Sequence, residues 1–218
     1  MKKRRIKNKM AENKRRPVKT GPPKPGLLKP GSLRIIAGAW RGRSIEVPPG
    51  KDIRPTSDRV REALFNRLAH AFSDQGFHLH DARVVDVFAG TGALGLEALS
   101  RGAAQVVLLD RNPAAVALLK RNVAKLGAED RATVMNADGS NLPRAATACN
   151  LAFLDPPYDQ NLVAPALQSL ARQGWLAPGA LVTVETDESE TVTDVPGYTL
   201  LDRRAYGRVA LTFLSYTA

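Results

Sequence analysis

The chain has 218 residues, which suffices for one compact domain and is too short for two of full size. Its 32 Lys and Arg residues outnumber 21 Asp and Glu, for a net charge of +11. The longest stretch without a charged residue is 12 positions, whereas a membrane span needs roughly 18 to 20 apolar residues, so no transmembrane helix is expected. The single cysteine, Cys149, excludes an internal disulfide and a cysteine-based zinc cluster.

The excess positive charge lies entirely in the first 30 residues. These hold 12 Lys and Arg against one acid, whereas the rest of the chain holds 20 of each sign. Five prolines and few apolar residues in the same segment leave too little surface to bury, which predicts a disordered basic arm over 1–30. Such an arm can contact nucleic-acid phosphates. It lacks the apolar stretch of a secretory signal, so we expect a cytoplasmic protein.

The rest of the chain shows short apolar runs that alternate with helical patterns. Runs at 33–36 and 44–47 predict a small hairpin, and Thr56 or Ser57 is the predicted N-cap of the helix that follows. The predicted helices are 58–72, 93–101, 113–126 and 162–171. The predicted strands of the main sheet are 83–88, 105–109, 132–135, 151–154, 180–185, 198–204 and 209–216, of which the last two form a closing hairpin.

This alternation predicts an α/β fold in which a parallel sheet is covered on both faces. The closing hairpin adds one antiparallel strand. We therefore expect one domain over 31–218, with a hairpin and helix extension over 31–80 and the α/β core over 81–218.

A glycine-rich loop follows the first strand of this core. Gly90, Gly92 and Gly95 satisfy the spacing G-x-G-x-x-G, and Asp110 lies 20 residues beyond Gly90 at the end of the next strand. Glycines let a backbone approach a ligand closely, and an acid at that distance binds ribose hydroxyls. Taken alone, this pattern indicates a dinucleotide, and a nicotinamide-dependent oxidoreductase is one alternative.

Two features favour a different ligand. Asp86 places a carboxylate four residues before Gly90, where a pyrophosphate would meet unwanted negative charge and an ammonium or sulfonium group would be attracted. The sequence Asp155-Pro156-Pro157-Tyr158 ends the fourth strand, and a nicotinamide enzyme has no use for it.

Asp86-x-Phe88-x-Gly90-x-Gly92 resembles the first motif of class I methyltransferases, which use S-adenosylmethionine (SAM), and Asp155-Pro156-Pro157-Tyr158 resembles the fourth motif of those that methylate amino groups. Residues 34–43 and 54–66 resemble the bacterial family that methylates guanine N2 in small-subunit (16S) ribosomal RNA, the RsmD-like enzymes. The resemblance covers residues 33–218. It implies a Rossmann-like class I methyltransferase fold with seven strands, the last one antiparallel, and SAM as cofactor.

The resemblance also implies roles for individual residues. Asp155 and the carbonyl of Pro156 would accept hydrogen bonds from the target amine, and Tyr158 would stack on a base rotated out of its helix. Asp86 would face the ammonium or sulfonium group, Asp110 would bind the ribose, and Asp138 would lie where the adenine amine is bound. The full set of expected cofactor-binding residues is Asp86, Phe88, Ala89, Gly90, Thr91, Gly92, Asp110, Arg111, Asp138 and Thr56.

Four arginines near the expected site, Arg41, Arg43, Arg54 and Arg59, are candidates for RNA phosphate contacts. The expected partner is ribosomal RNA within an assembling small subunit, bound by a monomer that uses no metal and no membrane. Two further alternatives stay open: a DNA adenine or cytosine amino methyltransferase, and an RNA-binding protein that has lost activity.

Overall fold

The computed structural model describes residues 32–48, 57–157, 160–192 and 195–217. The predicted arm over 1–30 and the predicted site residues Arg54, Thr56 and Tyr158 lie outside these ranges.

The described residues form a small hairpin followed by alternating strands and helices. The strands are β1 (Ser32–Arg34), β2 (Ser44–Glu46), β3 (Arg83–Val87), β4 (Gln105–Asp110), β5 (Ala132–Asn136), β6 (Cys149–Leu154), β7 (Leu176–Asp187), β8 (Tyr198–Tyr206) and β9 (Val209–Tyr216). The helices are α1 (Asp58–His70), α2 (Ala93–Ser100), α3 (Pro113–Leu126) and α4 (Val163–Arg172), with a 3₁₀ turn at Ser73–Gln75.

Seven of these strands form one sheet in the order β5-β4-β3-β6-β7-β9-β8. Only β9 runs against the others, since it pairs antiparallel with both β7 and β8. The predicted Rossmann-like class I methyltransferase fold is thereby confirmed, including its seven strands and the single antiparallel one. The strand order reverses at β3, which has β4 on one side and β6 on the other. Open α/β sheets bind ligands at the carboxyl ends of the strands at such a reversal.

Local sequence signals fix the helix that follows β4. The side chain of Asn112 accepts a hydrogen bond from Ala114 N at 2.9 Å, Pro113 occupies the first turn, and Gly127 ends the helix at a φ of 65°. The predicted bounds of 113–126 are therefore confirmed. Ser57 caps α1 by accepting from Val60 N at 3.3 Å.

The sheet separates two cores. One is formed with α1, α2, α3 and the β1–β2 hairpin, and its centre includes Phe65 against Phe153 with ring centroids 5.8 Å apart. The other lies under α4, where Leu167 and Leu170 are fully buried.

Cys149 is 3% exposed at the start of β6, and burial raises the pKa of its thiol to about 11, as expected of an inert structural cysteine.

The hairpin is held to α2 by buried polar contacts. Glu97 is fully buried and accepts hydrogen bonds from the amides of Ile36 (2.7 Å) and Ala37 (2.9 Å). Gly38, at a φ of 80°, lies so close to Ser100 that a Cβ would come within 1.8 Å of the Ser100 carbonyl oxygen. Only glycine, which has no Cβ, fits at this position.

No helix within the described ranges is long and apolar enough to cross a membrane. Across the same residues, no three His, Cys, Asp or Glu side chains are grouped so that they could hold a metal ion.

Candidate active site

The glycine-rich loop turns sharply between β3 and α2. Phe88, Gly90 and Gly92 all have positive φ (66°, 54° and 80°), and the amide of Gly92 donates to the carbonyl of Ala89 at 2.7 Å. A bulky residue at positive φ is strained, and such strain concentrates at functional sites. A Cβ on Gly95 would lie 2.5 Å from Leu108 Cδ2, so the third glycine serves helix–strand packing.

Asp86 lies in β3 just before this loop and is 2% exposed. Its Oδ2 accepts a hydrogen bond from the amide of Gly95 at 2.9 Å, in the first turn of α2. Burial raises the pKa of Asp86 to about 7; the Gly95 hydrogen bond opposes this rise and the charge of Asp110 adds to it. The carboxyl is therefore poised to lose a proton when a cation approaches.

Asp110 ends β4 beside the loop. Its Oδ2 accepts from Gly90 N at 3.0 Å and its Oδ1 accepts from Asn112 N at 2.8 Å. Asn136 donates to the carbonyls of both Asp110 and Arg111, at 3.0 and 3.1 Å, and fixes the backbone that carries them. The Arg111 side chain is exposed and reaches Gln160. The geometry thus joins the Asp110 carboxylate to the loop.

Asp138 follows β5 at the same edge of the sheet. Its Oδ1 accepts from the amide and hydroxyl of Ser140, at 2.9 and 2.8 Å, and these hydrogen bonds lower the pKa of the carboxyl. Next to it, a Cβ on Gly139 would lie 2.6 Å from the ring of Phe88. The segment after β5 therefore packs directly on the loop after β3.

Asp155 follows β6, the other neighbour of β3, and is half-buried, while Pro156 is buried. Burial raises the pKa of Asp155 well above its usual range, and the negative charges of Glu185 and Asp86 raise it further. Glu185 is 4% exposed near the carboxyl end of β7. Three acids from three adjacent strands thus lie close enough for their charges to interact, and a cationic ligand or a hydrogen-bond donor beside them would be stabilised.

The described arginines predicted to contact RNA have different surroundings. Arg41 and Arg59 are exposed. Arg43 instead donates to the carbonyls of Lys125 and Leu126, the last residues of α3, so its side chain caps a helix end. Trp40, from the same turn, is only 9% exposed.

Three acidic or amide residues that matter to the site escape the sequence analysis: Glu97, Asn122 and Glu185. Each is 4% exposed or less. Two of them could have been noticed in the sequence. Glu97 is a charged residue inside an otherwise apolar helix, and Glu185 is a charged residue near the end of an apolar strand. Asn122 gives no such signal, because amides are common on exposed helix faces.

Comparisons with known proteins find similar sequences and a similar solved structure. The family described as Conserved hypothetical protein 95 matches residues 33–215. The chain is 41% identical over 179 residues to ribosomal RNA small subunit methyltransferase D of Escherichia coli K12, covering 82% of this chain and 87% of that protein. The Haemophilus influenzae protein of the same name is 37% identical over 182 residues, covering 82% and 91%. The solved structure of yhhF from Escherichia coli superposes with a TM-score of 0.74 at 40% identity, covering 86% of this chain and 99% of that one.

Proposed function

The chain belongs to the ribosomal RNA small subunit methyltransferase D family, and we propose that it transfers a methyl group from SAM to the exocyclic N2 of a guanine in small-subunit ribosomal RNA. The observation that carries this proposal is the position of Asp155 and Pro156 at the carboxyl end of β6, next to the glycine-rich loop of β3. Hydrogen-bond acceptors for the target amine and a loop for the cofactor follow adjacent strands, so the amine and the methyl group of SAM can be brought together.

The residues of the loop fit SAM. The nearest atom that a Cβ on Gly90 would meet is the Phe88 carbonyl oxygen at 3.9 Å, so the space above Gly90 is open to a ligand. Asp110 offers a carboxylate already oriented by two backbone amides, which suits a ribose diol. Bound SAM would supply an electrophilic methyl group on a sulfonium sulfur. Asp86 would favour that positive charge.

Residues after β5 complete the proposed cofactor site. Asp138 is held in place by Ser140 and is ionised in the neutral range, since its pKa is lowered. It would accept a hydrogen bond from the adenine amine. Arg111, the residue that follows β4, would border the same end of the site. The nicotinamide alternative has no comparable support, because family membership defines the chain as a methyltransferase.

The chemistry asks this chain to activate a poor nucleophile. The lone pair of the guanine N2 amine is delocalised into the ring, so it must be localised on nitrogen before it can attack. Asp155 and the Pro156 carbonyl would accept the two N–H groups and hold nitrogen in a pyramidal geometry. Bound SAM would supply the methyl group: as the nitrogen–carbon bond formed and the carbon–sulfur bond broke, sulfur would keep the electron pair, and the proton lost by nitrogen would pass to the Asp155 carboxylate and from there to water.

The raised pKa of Asp155 suits this role. A carboxylate with a higher pKa is a stronger hydrogen-bond acceptor and base than an exposed aspartate. Pro156 has no backbone N–H, so it cannot donate a hydrogen bond to the Asp155 carboxylate in place of the target amine.

The substrate surface would lie on the hairpin side of the site. Arg41 in the hairpin turn and Arg59 in the first turn of α1 are exposed and available to phosphates. We place the reaction in the cytoplasm, on an assembling small subunit and with the enzyme as a monomer.

Single-turnover methyl transfer from labelled SAM tests the proposal. Asp155→Ala should lower the transfer rate about 100- to 1,000-fold, the range measured for loss of one preorganised hydrogen-bonding group. SAM affinity should stay within about twofold, since Asp155 is assigned to the amine. Asp130→Ala, at an exposed turn after α3, is the control. Near-normal turnover of Asp155→Ala would refute the assignment.

A further inference from the structure

Asn122 is a fully buried amide on the inner face of α3. Its Oδ1 accepts a hydrogen bond from the amide of Glu46 at 2.7 Å. Its Nδ2 donates to the carbonyl of Glu46 at 3.1 Å and to the carbonyl of Thr91 at 2.9 Å. One side chain therefore joins three backbone groups that lie 31 and 76 residues away along the chain.

The partners fix the orientation of this amide. Both N–H groups point to carbonyl oxygens and the oxygen points to an N–H, so a flipped amide would set its oxygen against two carbonyls. An aspartate at position 122 would keep the acceptor for Glu46 N but would present oxygen to the carbonyls of Glu46 and Thr91.

The backbone groups that Asn122 binds belong to two different parts of the site. Thr91 lies between Gly90 and Gly92 in the loop that we assign to SAM, whereas Glu46 ends β2 of the hairpin that carries Arg41. The loop is packed tightly on α3, since a Cβ on Gly92 would lie 2.9 Å from Leu119 Cδ2. The loop is therefore in contact with α3 through Gly92 and with the hairpin through the Asn122 amide.

We infer that Asn122 is a positioning residue that couples SAM binding to the docking of the N-terminal hairpin. When SAM orders the loop, the Thr91 carbonyl fixes the Asn122 amide, and the amide fixes β2 and with it the hairpin turn. By linkage, a substrate that holds the hairpin would strengthen SAM binding by the same factor. This inference rests on the proposed use of SAM.

The hairpin has other anchors that do not depend on Asn122. Glu97 binds the amides of Ile36 and Ala37, and Arg43 binds the carboxyl end of α3. The hairpin should therefore remain docked when Asn122 is replaced. What the replacement removes is the pair of hydrogen bonds that Asn122 donates to the carbonyls of Glu46 and Thr91, and with the second of them the connection to the loop.

Hydrogen exchange at the Glu46 amide, followed by NMR, tests the coupling in the natural chain. Saturating SAM should slow this exchange about fivefold or more, the lower range of typical coupling factors. Calorimetry on the same sample measures SAM binding itself. If SAM binds and exchange at Glu46 does not change, the coupling is refuted while the proposed cofactor stands. If SAM does not bind, the proposed cofactor is refuted and the inference falls with it.

Asn122→Asp provides the matching perturbation. This variant should bind SAM, with the effect of SAM on Glu46 exchange reduced to less than about twofold. Asn150→Asp is the control. Asn150 Oδ1 also accepts a hydrogen bond from a backbone N–H, that of Arg83 at 3.1 Å, but this contact lies at the amino ends of β3 and β6, away from the loop and the hairpin. The control should retain the full effect. Full retention in Asn122→Asp would refute the role of this amide.

Discussion

Replacement of Asp86 by Asn should stabilise the protein at pH 8. The side chain is 2% exposed, and burial raises its pKa from 3.8 to about 7. At about 1.4 kcal/mol per pKa unit, keeping this carboxylate ionised in the fold costs about 4 kcal/mol at pH 8. Asparagine has nearly the same shape and can still accept the hydrogen bond from Gly95 N, but it carries no charge.

The sign of the pH dependence follows from proton uptake. The folded-state pKa lies above the unfolded value, so between about pH 4 and pH 7 the native state holds a proton that the unfolded chain has lost. The contribution of Asp86 to stability therefore falls as pH rises through this window and is at its minimum above pH 7. Asp86→Asn should gain about 4 kcal/mol over the natural chain at pH 8 and close to nothing at pH 4.

Urea denaturation at the two pH values measures this difference. Because Asp155 also has a raised pKa, the comparison must be made between variant and natural chain at each pH and not between pH values for one protein. Asp130→Asn, at an exposed position, is the control and should show no such pH-dependent gain. An equal gain at pH 4 and pH 8, or a loss at pH 8, would refute the reasoning.

Three further predictions concern the cofactor, the target amine and the hairpin. Asp110→Ala should weaken SAM binding by about 1.5 to 3 kcal/mol without changing RNA affinity, because a charged acceptor is lost; unchanged SAM affinity by calorimetry would remove Asp110 from the site. Glu185→Gln should move the pH profile of methyl transfer to lower pH, because the charge of Glu185 raises the pKa of Asp155; a profile that stays in place would contradict this. Gly38→Ala should destabilise the fold by about 1 to 3 kcal/mol more than Gly42→Ala, since both have positive φ but only Gly38 meets backbone within 4 Å; equal losses in thermal denaturation would count against the observed hairpin docking.

The sequence predicts the elements best where local chemistry marks both ends. Helix α3 is predicted to the residue because Asn112, Pro113 and Gly127 define its limits. Strand β7 is longer than predicted, Leu176–Asp187 instead of 180–185. Its early residues include Pro178 and Gly179, which interrupt the apolar pattern. The pairing of β6 with β7 shifts register between Cys149 and Leu151, and this irregularity accommodates them.

The candidate site is predictable where it depends on strand ends. Asp86, Asp110 and Asp155 each stand at the end of an apolar strand, and parallel strands bring such residues to a common edge. The links to the hairpin are not predictable in this way. Glu97 and Asn122 bind backbone groups 60 to 76 residues away, and backbone partners leave no pattern in the sequence. Likewise, the position of a charged residue in the sequence does not show which group its side chain will bind.

Arg43 illustrates this last limit. Its charge, next to Arg41 in a glycine-bearing turn, indicates a phosphate contact, yet its guanidinium binds the final carbonyls of α3. A helix carboxyl end attracts a cation as a phosphate does, and only the fold decides which of them is near. The RNA role of Arg41 and Arg59 stays a prediction.

The most direct test of the proposed function is to identify the methylated nucleoside. Unmethylated small subunits from a strain lacking the gene are incubated with the enzyme and labelled SAM, and the RNA is digested and analysed by mass spectrometry. The proposed function predicts label in N2-methylguanosine from small-subunit ribosomal RNA, and its loss with Asp155→Ala. Label at another atom or base, or label in DNA supplied as a competitor, would contradict it.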